Sequence, residues 1–315
     1  MKLFLIKGII FIAPLILLFA FVEYRLSKIP NGYSTKKRYL EERASEYEVL
    51  ITGTSHALMG VNPQYLDCPA YNIAYLGQDL YYDTQLVLKY VDRMKSLKLV
   101  IVPISYHSLE YRLKNNKING WRVDFYSRYY GIAGENEHFP WANPSRYSLV
   151  ALYGLDETQR YARARFNVPL EIKLDRNGWG SGRDNAAKIT DAKIKRELQH
   201  AHEMMDPGVV NENLQLLDDL FAKLRAKKIA VVLTTLPVSQ PYGQSVTPER
   251  YQRMQAGIDY LRNKYGVEYF NYFLDQRFVT EDFIDGHHLN SRGAEKFSRI
   301  IKDDFVQKYV HAGKE

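Results

Sequence analysis

The sequence of 315 residues is poor in cysteine and in clustered charge. It contains one cysteine, Cys68, which excludes a disulfide framework and a zinc site made of several cysteines. Its longest run of basic residues is Lys36–Arg38, although the formal net charge is +7. A dispersed positive charge suits an anionic envelope polymer or lipid headgroups, whereas nucleic-acid binding usually needs clustered lysines and arginines. Nucleic acid is therefore not an expected partner.

One long hydrophobic run is present, at residues 3–22, and Lys7 is its only charge. About 20 apolar residues match the hydrocarbon core of a bilayer, so we predict a transmembrane anchor over residues 1–25. A cleaved signal peptide is the alternative, but no small-residue cleavage site follows the run. Lys2 and Lys7 favour a cytoplasmic N-terminus, which would place the rest of the chain on the periplasmic or extracellular face of the cytoplasmic membrane. Basic residues on the other flank weaken this asymmetry.

A charged linker at residues 26–46 leads into a domain predicted from residue 47 to residue 312, in which strand and helix patterns alternate. Five apolar segments have strand character: Tyr47–Thr52, Tyr71–Tyr75, Leu97–Ile104, Ile229–Leu236 and Val267–Tyr272. Helical spacing of apolar residues is found in Asp79–Ser96, Val210–Leu224, Thr247–Leu261 and Ser291–Val306. The alternation predicts an α/β domain of three layers, with a parallel sheet covered by helices on both faces. Ligands of such sheets bind at the carboxyl ends of the strands.

The segment from residue 106 to residue 207 interrupts this alternation and has no strong periodicity. It contains all three tryptophans of the chain, Trp121, Trp141 and Trp179, together with many tyrosines and arginines. The tryptophans are candidates for substrate binding, because aromatic rings can stack on sugars or cover a site. A subdomain that buries the same rings in a small core of its own is an equally open interpretation.

The first motif with chemical potential is Gly53-Thr54-Ser55-His56, which directly follows the first predicted strand. A glycine permits a sharp turn, and a serine on that turn projects its hydroxyl into the cleft at the edge of the sheet. The hydroxyl becomes a nucleophile only when a base removes its proton. His56 is not favoured as this base, because neighbouring side chains on a turn usually point apart. Capping of the next helix is the alternative role for Ser55.

The second motif is Asp285-Gly286-His287-His288, which precedes the last predicted helix. An aspartate and a histidine three residues apart on one loop can meet, so that Asp285 fixes the tautomer of His288 and stabilises the imidazolium. A helix-capping cluster with surface histidines is the alternative. The His287-His288 pair has no further histidine or carboxylate at the spacing typical of metal ligands. We therefore predict neither a metal nor a cofactor.

Together, the two motifs resemble the first and last blocks of the SGNH (GDSL-like) hydrolase and acyltransferase superfamily. This resemblance implies an SGNH-like fold, close to the flavodoxin-like arrangement, and a catalytic triad of Ser55, His288 and Asp285. The segment Asn72–Gly77 is similar to the second block of the family. It implies that the backbone N–H groups of Gly77 and Ser55 form an oxyanion hole.

The third block of the family is usually G-x-N-D, but Ser105-Tyr106-His107-Ser108 stands in its place here. The asparagine of that block donates a hydrogen bond to the oxyanion in the family. Two interpretations stay open without it. Either His107 or Ser105 donates instead, or the hole consists of backbone N–H groups alone.

An anchor followed by such a domain is also similar to the membrane-tethered branch of the superfamily, which includes the D-alanyl transfer protein of teichoic acid modification and the alginate O-acetylation proteins. This resemblance implies a serine acyltransferase that moves an acetyl or similar small acyl group onto an envelope glycan or a teichoic-acid-like polymer. A multi-span membrane O-acyltransferase is the partner that it implies. An esterase with the same triad, and a tethered glycan-binding scaffold without activity, are the alternatives.

Overall fold

The computed structural model of the protein describes residues 2–135, 137, 139–181 and 189–311. Residues 182–188 of the predicted insertion and residue 312, the predicted end of the domain, lie outside the described residues. The chain divides into two compact units. The smaller unit combines Met1–Thr35 with Trp121–Glu171, and the larger unit combines Lys36–Gly120 with Ile172–Glu315.

These units cut the chain at other points than the predicted anchor (1–25), linker (26–46) and insertion (106–207). The middle part of the insertion, residues 121–171, joins the N-terminal segment, because Leu149 packs against Leu26 and Ile29 in a small apolar core. The remainder of the insertion belongs to the larger unit.

The helices and strands of the described residues follow the alternation expected from the sequence. In chain order, the α-helices are α1 (Lys2–Ser27), α2 (Gly32–Glu42), α3 (Ser55–Gly60), α4 (Leu80–Tyr90), α5 (Arg122–Phe125), α6 (Leu149–Arg163), α7 (Asp191–Glu203), α8 (Val210–Ala226), α9 (Gln240–Ser245), α10 (Pro248–Tyr265), α11 (Ser291–Ile301) and α12 (Gln307–His311). The strands are β1 (Val49–Ile51), β2 (Ala70–Asn72), β3 (Leu99–Pro103), β4 (Lys173–Leu174), β5 (Gly180–Ser181), β6 (Ala230–Thr235) and β7 (Glu268–Asn271).

Five strands form the sheet of the larger unit, in the order β2-β1-β3-β6-β7, and every neighbouring pair is parallel. Each of them overlaps one of the five predicted strands. Val49, Leu50 and Ile51 of β1 are fully buried. Because successive side chains of a strand point to opposite faces, both faces of the sheet are covered at β1. The predicted α/β class, with a parallel sheet surrounded by helices, is confirmed.

The smaller unit contains α1, whose segment Ile6–Ser27 is long and apolar enough to cross a membrane. The side chains along this segment are largely exposed to the surroundings. The predicted apolar anchor is therefore confirmed as a helix of suitable length and composition. The helix extends to Ser27, two residues beyond the predicted end of the anchor.

Candidate active site

Ser55 opens α3, directly after the turn that leaves the carboxyl end of β1. Gly53 in this turn has a φ of +120°, and a Cβ added there would lie 3.0 Å from the Cβ of Ala57, so glycine is the residue that fits without strain. Thr54 is the N-cap residue of α3, and its hydroxyl accepts a hydrogen bond from the backbone N–H of His56 at 3.3 Å. Capping is therefore the task of Thr54, and the Ser55 hydroxyl has another partner.

That partner is His288. The Ser55 hydroxyl lies 2.8 Å from Nε2 of His288, and Nδ1 of His288 lies 2.9 Å from Oδ2 of Asp285. The nitrogen that faces the carboxylate carries the ring proton, because a carboxylate can only accept. Nε2 is then the nitrogen that accepts the hydrogen bond of the hydroxyl. The structure thus brings together three side chains singled out in the sequence, although Ser55 and His288 are 233 positions apart.

The carboxylate of Asp285 is held in place by its own loop. Its Oδ1 accepts hydrogen bonds from the backbone N–H groups of His287 at 3.0 Å and His288 at 2.8 Å. The alternative role of helix cap falls to Asn290, whose side chain accepts from the N–H of Gly293 at 3.0 Å. Oδ2 of Asp285 is therefore directed at the ring of His288.

The electrostatics of the pair suit proton abstraction at neutral pH. Burial raises the pKa of Asp285, but the charge and hydrogen bond of His288, with the charge of His287, outweigh it and hold that pKa well below its usual range. The pKa of His288 is lowered by burial and by the neighbouring charge of His287, while Asp285 opposes the shift. The carboxylate is therefore ionised and the imidazole neutral, which is the state that a general base requires.

Further histidines surround the triad. The ring centroid of His56 lies 4.9 Å from that of His287, 5.1 Å from that of His288 and 5.3 Å from that of His107. Nδ1 of His56 is 3.1 Å from the hydroxyl of Ser105. Burial lowers the pKa of His56 well below its usual value and the pKa of His107 to about 3. Both rings are therefore neutral at neutral pH and add no positive charge beside the triad.

Three of these histidines offer ligand atoms for a metal ion. One ring nitrogen each of His56, His287 and His288 lies within 4.8 Å of the others. Both nitrogens of His288 already face Ser55 and Asp285. An ion at this place would thus compete with the triad, and the absence of a metal stays a prediction.

Ser55 and His288 line a cavity of about 230 Å³ in the larger unit. Gly77, which follows β2, and His107, which follows β3, line it as well. The carboxyl ends of three neighbouring strands therefore contribute to one cavity, as expected for a parallel sheet. The insertion also contributes through residues that the sequence analysis did not single out, namely Glu197, His200, Ala201 and Met204 in and directly after α7.

Asn119, which lies beside Gly77, was not predicted as a residue of the site. Gly77 has a φ of +62°, and the hydroxyl of Tyr111 donates to its carbonyl at 2.9 Å. A Cβ added to Gly77 would lie 3.5 Å from Nδ2 of Asn119, which also lines the cavity. Asn119 was overlooked because the asparagine of the third block was expected directly after β3. Of the two donors considered there, His107 lines the cavity, whereas the Ser105 hydroxyl bonds to a histidine ring.

None of the three tryptophans is among the lining residues of this cavity in the described part of the chain. The indole N–H of Trp179 donates to the carbonyl of Met59 at 2.8 Å. Trp121 and Trp141 belong to the smaller unit. Their part in substrate binding stays a prediction.

A buried carboxyl group lies behind the turn at Gly53 that leads into Ser55. Oδ1 of Asp83 accepts hydrogen bonds from the backbone N–H of Gly53 at 2.8 Å and from Nε2 of Gln78 at 2.6 Å. Burial raises the pKa of Asp83 to about 7, even though both hydrogen bonds oppose the shift. Asp83 therefore fixes the turn from the side of α4 and gains a proton as the pH falls below neutrality.

We expect Asp83→Asn to remove part of the pH dependence of stability. Because folding raises this pKa to about 7, the native protein loses stability as the pH rises from about 4 to about 7, by roughly 4 kcal/mol at one pKa unit per ~1.4 kcal/mol. Asparagine keeps the acceptor for the N–H of Gly53 but carries no charge. Urea unfolding of the full chain in detergent should show a flatter profile for this variant. The exposed Asp219→Asn is the matched control, and equal slopes for all three proteins would contradict the expectation.

Comparison with known proteins gives a likeness of fold alone. The sequence matches no family profile and no curated protein. A candidate acylhydrolase from Bacteroides fragilis is similar in structure, with 11% identity, a TM-score of 0.41 and coverage of 87% of this chain and 96% of that one. A GDSL-like lipase from Bacteroides thetaiotaomicron has 12% identity, a TM-score of 0.41 and coverage of 88% and 98%. At these values the likeness carries no argument about activity.

Proposed function

We propose that the chain is a serine enzyme that transfers acyl groups from an ester donor through Ser55. The observation that carries the proposal is the continuous chain of hydrogen bonds from the Ser55 hydroxyl through His288 to Asp285 at the wall of a cavity. A serine, a neutral imidazole and an ionised carboxylate in this order are the parts of a nucleophilic triad.

In the first half of the reaction, Oγ of Ser55 bonds to the carbonyl carbon of the donor while its proton passes to Nε2 of His288. The tetrahedral adduct collapses, the donor oxygen leaves with the proton from His288, and the acyl group stays on Ser55. In the second half, His288 takes the proton of an acceptor hydroxyl, and the acceptor oxygen attacks the acyl carbon. The second tetrahedral adduct collapses, the bond between the acyl carbon and Oγ of Ser55 breaks, and His288 returns its proton to Oγ. Asp285 stabilises the imidazolium that exists between the two proton transfers of each half.

The oxyanion of the tetrahedral adduct needs hydrogen-bond donors that face the cavity. We propose the backbone N–H groups of Gly77 and Ser55 for this role, since both residues line it. The side chains of His107 and Asn119 line the same cavity and are candidates for the third donor. Asn119 is favoured by the position of its amide beside Gly77.

The acyl group and its acceptor belong to the same proposal. A cavity of about 230 Å³ is smaller than the ~300–1,000 Å³ pockets that hold drug-sized ligands, which favours an acetyl or similar small group. The net charge of +7 favours an anionic acceptor, such as a glycan or a teichoic-acid-like polymer of the envelope. The apolar span of α1 favours a tethered enzyme. We propose further that the larger unit lies outside the cytoplasm and that a multi-span O-acyltransferase is the partner.

Labelling with a fluorophosphonate tests the nucleophile. We expect the purified full chain in detergent to react once, with the label on the peptide that contains Ser55, because His288 removes the proton of this hydroxyl. Ser55→Ala should not be labelled, whereas Ser245→Ala, which changes an exposed serine, should react like the wild type. A folded wild type that takes up no label would contradict the covalent mechanism and favour the scaffold alternative.

Partition of the acyl-enzyme separates transfer from hydrolysis. After acylation with a small activated ester, addition of a soluble envelope oligosaccharide should divert the acyl group from water to the sugar. Release of free acid alone, at an unchanged rate, would favour the esterase alternative.

A further inference from the structure

The smaller unit exposes several large apolar side chains outside α1, which is unusual for a surface in contact with water. Outside α1, every large apolar side chain of the described residues that is more than 60% exposed lies between residues 139 and 155. They are Phe139 at 65%, Trp141 at 70%, Tyr147 at 66% and Leu155 at 70%. We call these four side chains the 139–155 surface. Single exposed apolar residues are ordinary. Here the ring centroids of Phe139 and Trp141 lie 5.9 Å apart, and this exposed pair, with two further exposed residues in the same short segment, favours a contact with an apolar phase or partner.

The 139–155 surface is tied to the last turns of α1 by hydrogen bonds. The carboxylate of Glu23 accepts from the hydroxyl of Ser148 at 2.6 Å and from the backbone N–H groups of Leu149 at 2.9 Å and Val150 at 3.0 Å. These are the first N–H groups of α6, which no residue of that helix itself can satisfy. Glu23 therefore fixes the start of α6 to α1.

Packing and a second polar contact support the same attachment. Leu26 and Ile29 form a small apolar core with Leu149, against which further side chains of α6 pack. The guanidinium group of Arg25 donates to the carbonyl of Arg165 at 3.0 Å and lies 4.9 Å from the centroid of the Phe166 ring. Both ends of α6 are therefore held against the same end of α1.

The height of this attachment along α1 sets the position of the surface relative to a bilayer. The apolar span ends at Ser27, and Glu23 lies four residues before it, which is about 6 Å along a helix. If α1 crosses a bilayer, Glu23 and the start of α6 lie at the boundary between acyl chains and headgroups. Tryptophan and tyrosine are enriched at this boundary, because their rings are apolar and their edges polar.

We propose that the 139–155 surface lies in the interfacial layer of the bilayer that α1 crosses, as a second membrane contact of the same unit. This inference rests on the tethering part of the proposed function but on no part of the catalytic mechanism. Lipid is favoured over a soluble glycan as the occupant, because α6 and the apolar span are held together by Glu23, Arg25 and Leu26. A surface fixed there is brought to the lipid whenever the span is inserted.

Quenching of tryptophan fluorescence by brominated lipids tests the position of Trp141. The double variant Trp121→Phe/Trp179→Phe, reconstituted as the full chain into phosphatidylcholine vesicles, keeps Trp141 as its only tryptophan. We expect lipids brominated close to the headgroup to reduce its emission roughly twofold or more, and lipids brominated at the chain ends to reduce it less. The matched control is Trp121→Phe/Trp141→Phe, which keeps Trp179. This residue is half-buried and its indole N–H is bonded to the carbonyl of Met59, so it should be quenched much less.

Two further measurements test the inference if a double variant fails to fold or if α1 is not inserted. In case a double variant fails to fold, Trp141→Phe in the otherwise natural chain should reduce the quenchable part of the emission, whereas Trp179→Phe should leave it unchanged. Resistance of the chain to alkaline extraction from the vesicles reports insertion of α1 separately. An inserted chain with unquenched Trp141 would overturn the inference alone, and a chain extracted from the vesicles would overturn the tethering as well. Emission of Trp141 that responds to a soluble envelope glycan, but not to brominated lipid, would favour substrate binding instead.

Discussion

Ser55→Ala is expected to lower the turnover of a small activated ester by ~10⁴-fold or more. The variant keeps the backbone N–H groups near the cavity but removes the atom to which the acyl group must bond. His288 would then have only water to deprotonate, without a covalent intermediate to divide the reaction into two steps. The residual rate would come from binding and from the oxyanion donors. Steady-state kinetics of the full chain in detergent measure the effect.

The variant also distinguishes a defect in chemistry from a defect in folding. The side chain of Ser55 makes its hydrogen bond to His288, while Thr54 provides the cap of α3. Loss of the hydroxyl should therefore leave the denaturation midpoint close to that of the wild type. Turnover within tenfold of the wild type, or undiminished envelope acylation in cells that carry the variant, would exclude Ser55 as the nucleophile.

The sheet could be predicted because its strands are buried on both faces. Short, nearly uninterrupted apolar segments such as Leu99–Pro103 and Ala230–Thr235 are typical of strands in a parallel sheet that is covered on both faces. Helix ends were less certain. The helix was predicted over Asp79–Ser96 but ends at Tyr90. The prediction extended too far because apolar residues at helical spacing continue into the turns that follow the helix.

The insertion could not be predicted in the same way, because its helices bury little apolar surface. In α7 only Ile194 and Leu198 are buried, which leaves too short a pattern to recognise. In α6 the helix is interrupted at Gly154, whose φ of 74° and ψ of 167° are not helical. Contributions of the insertion to the cavity, such as Glu197, depend on tertiary folding that no local pattern encodes.

The three residues of the proposed triad could be predicted from the sequence more readily than the oxyanion donors, because local spacing determines more of their geometry. Asp285 and His288 are set by one short loop, and Ser55 by one strand end, so local spacing predicts what each side chain can reach. The donors proposed for the hole come from separate segments whose distance from Ser55 depends on the whole fold. Asn119 lies beside Gly77 although 42 positions separate the two in the sequence.

The second large effect is expected for Asp285→Asn, which should reduce kcat by roughly 10³–10⁴-fold. Oδ1 of Asp285 accepts from the backbone N–H groups of His287 and His288, while Oδ2 faces Nδ1 of His288. In the variant, the amide oxygen must keep the two N–H groups, because an NH₂ group there would meet only donors. The new NH₂ group then faces Nδ1 of His288 and donates to it. The ring proton moves to Nε2, and the imidazole can no longer accept the proton of Ser55.

The pH profile of this variant separates the loss of a charge from a general disturbance of the site. In the wild type, the acid limb of kcat should reflect His288, whose pKa is lowered by burial and by His287, so activity should persist to a pH below the usual titration of histidine. Asp285 opposes that shift, so its replacement should move the limb to still lower pH while the plateau falls. A variant within tenfold of wild-type kcat, or an acid limb that moves to higher pH, would contradict the assignment of Asp285 as the partner of His288. The direction of the shift is the sharper criterion, because a site that has merely loosened would expose His288 to water and raise its pKa.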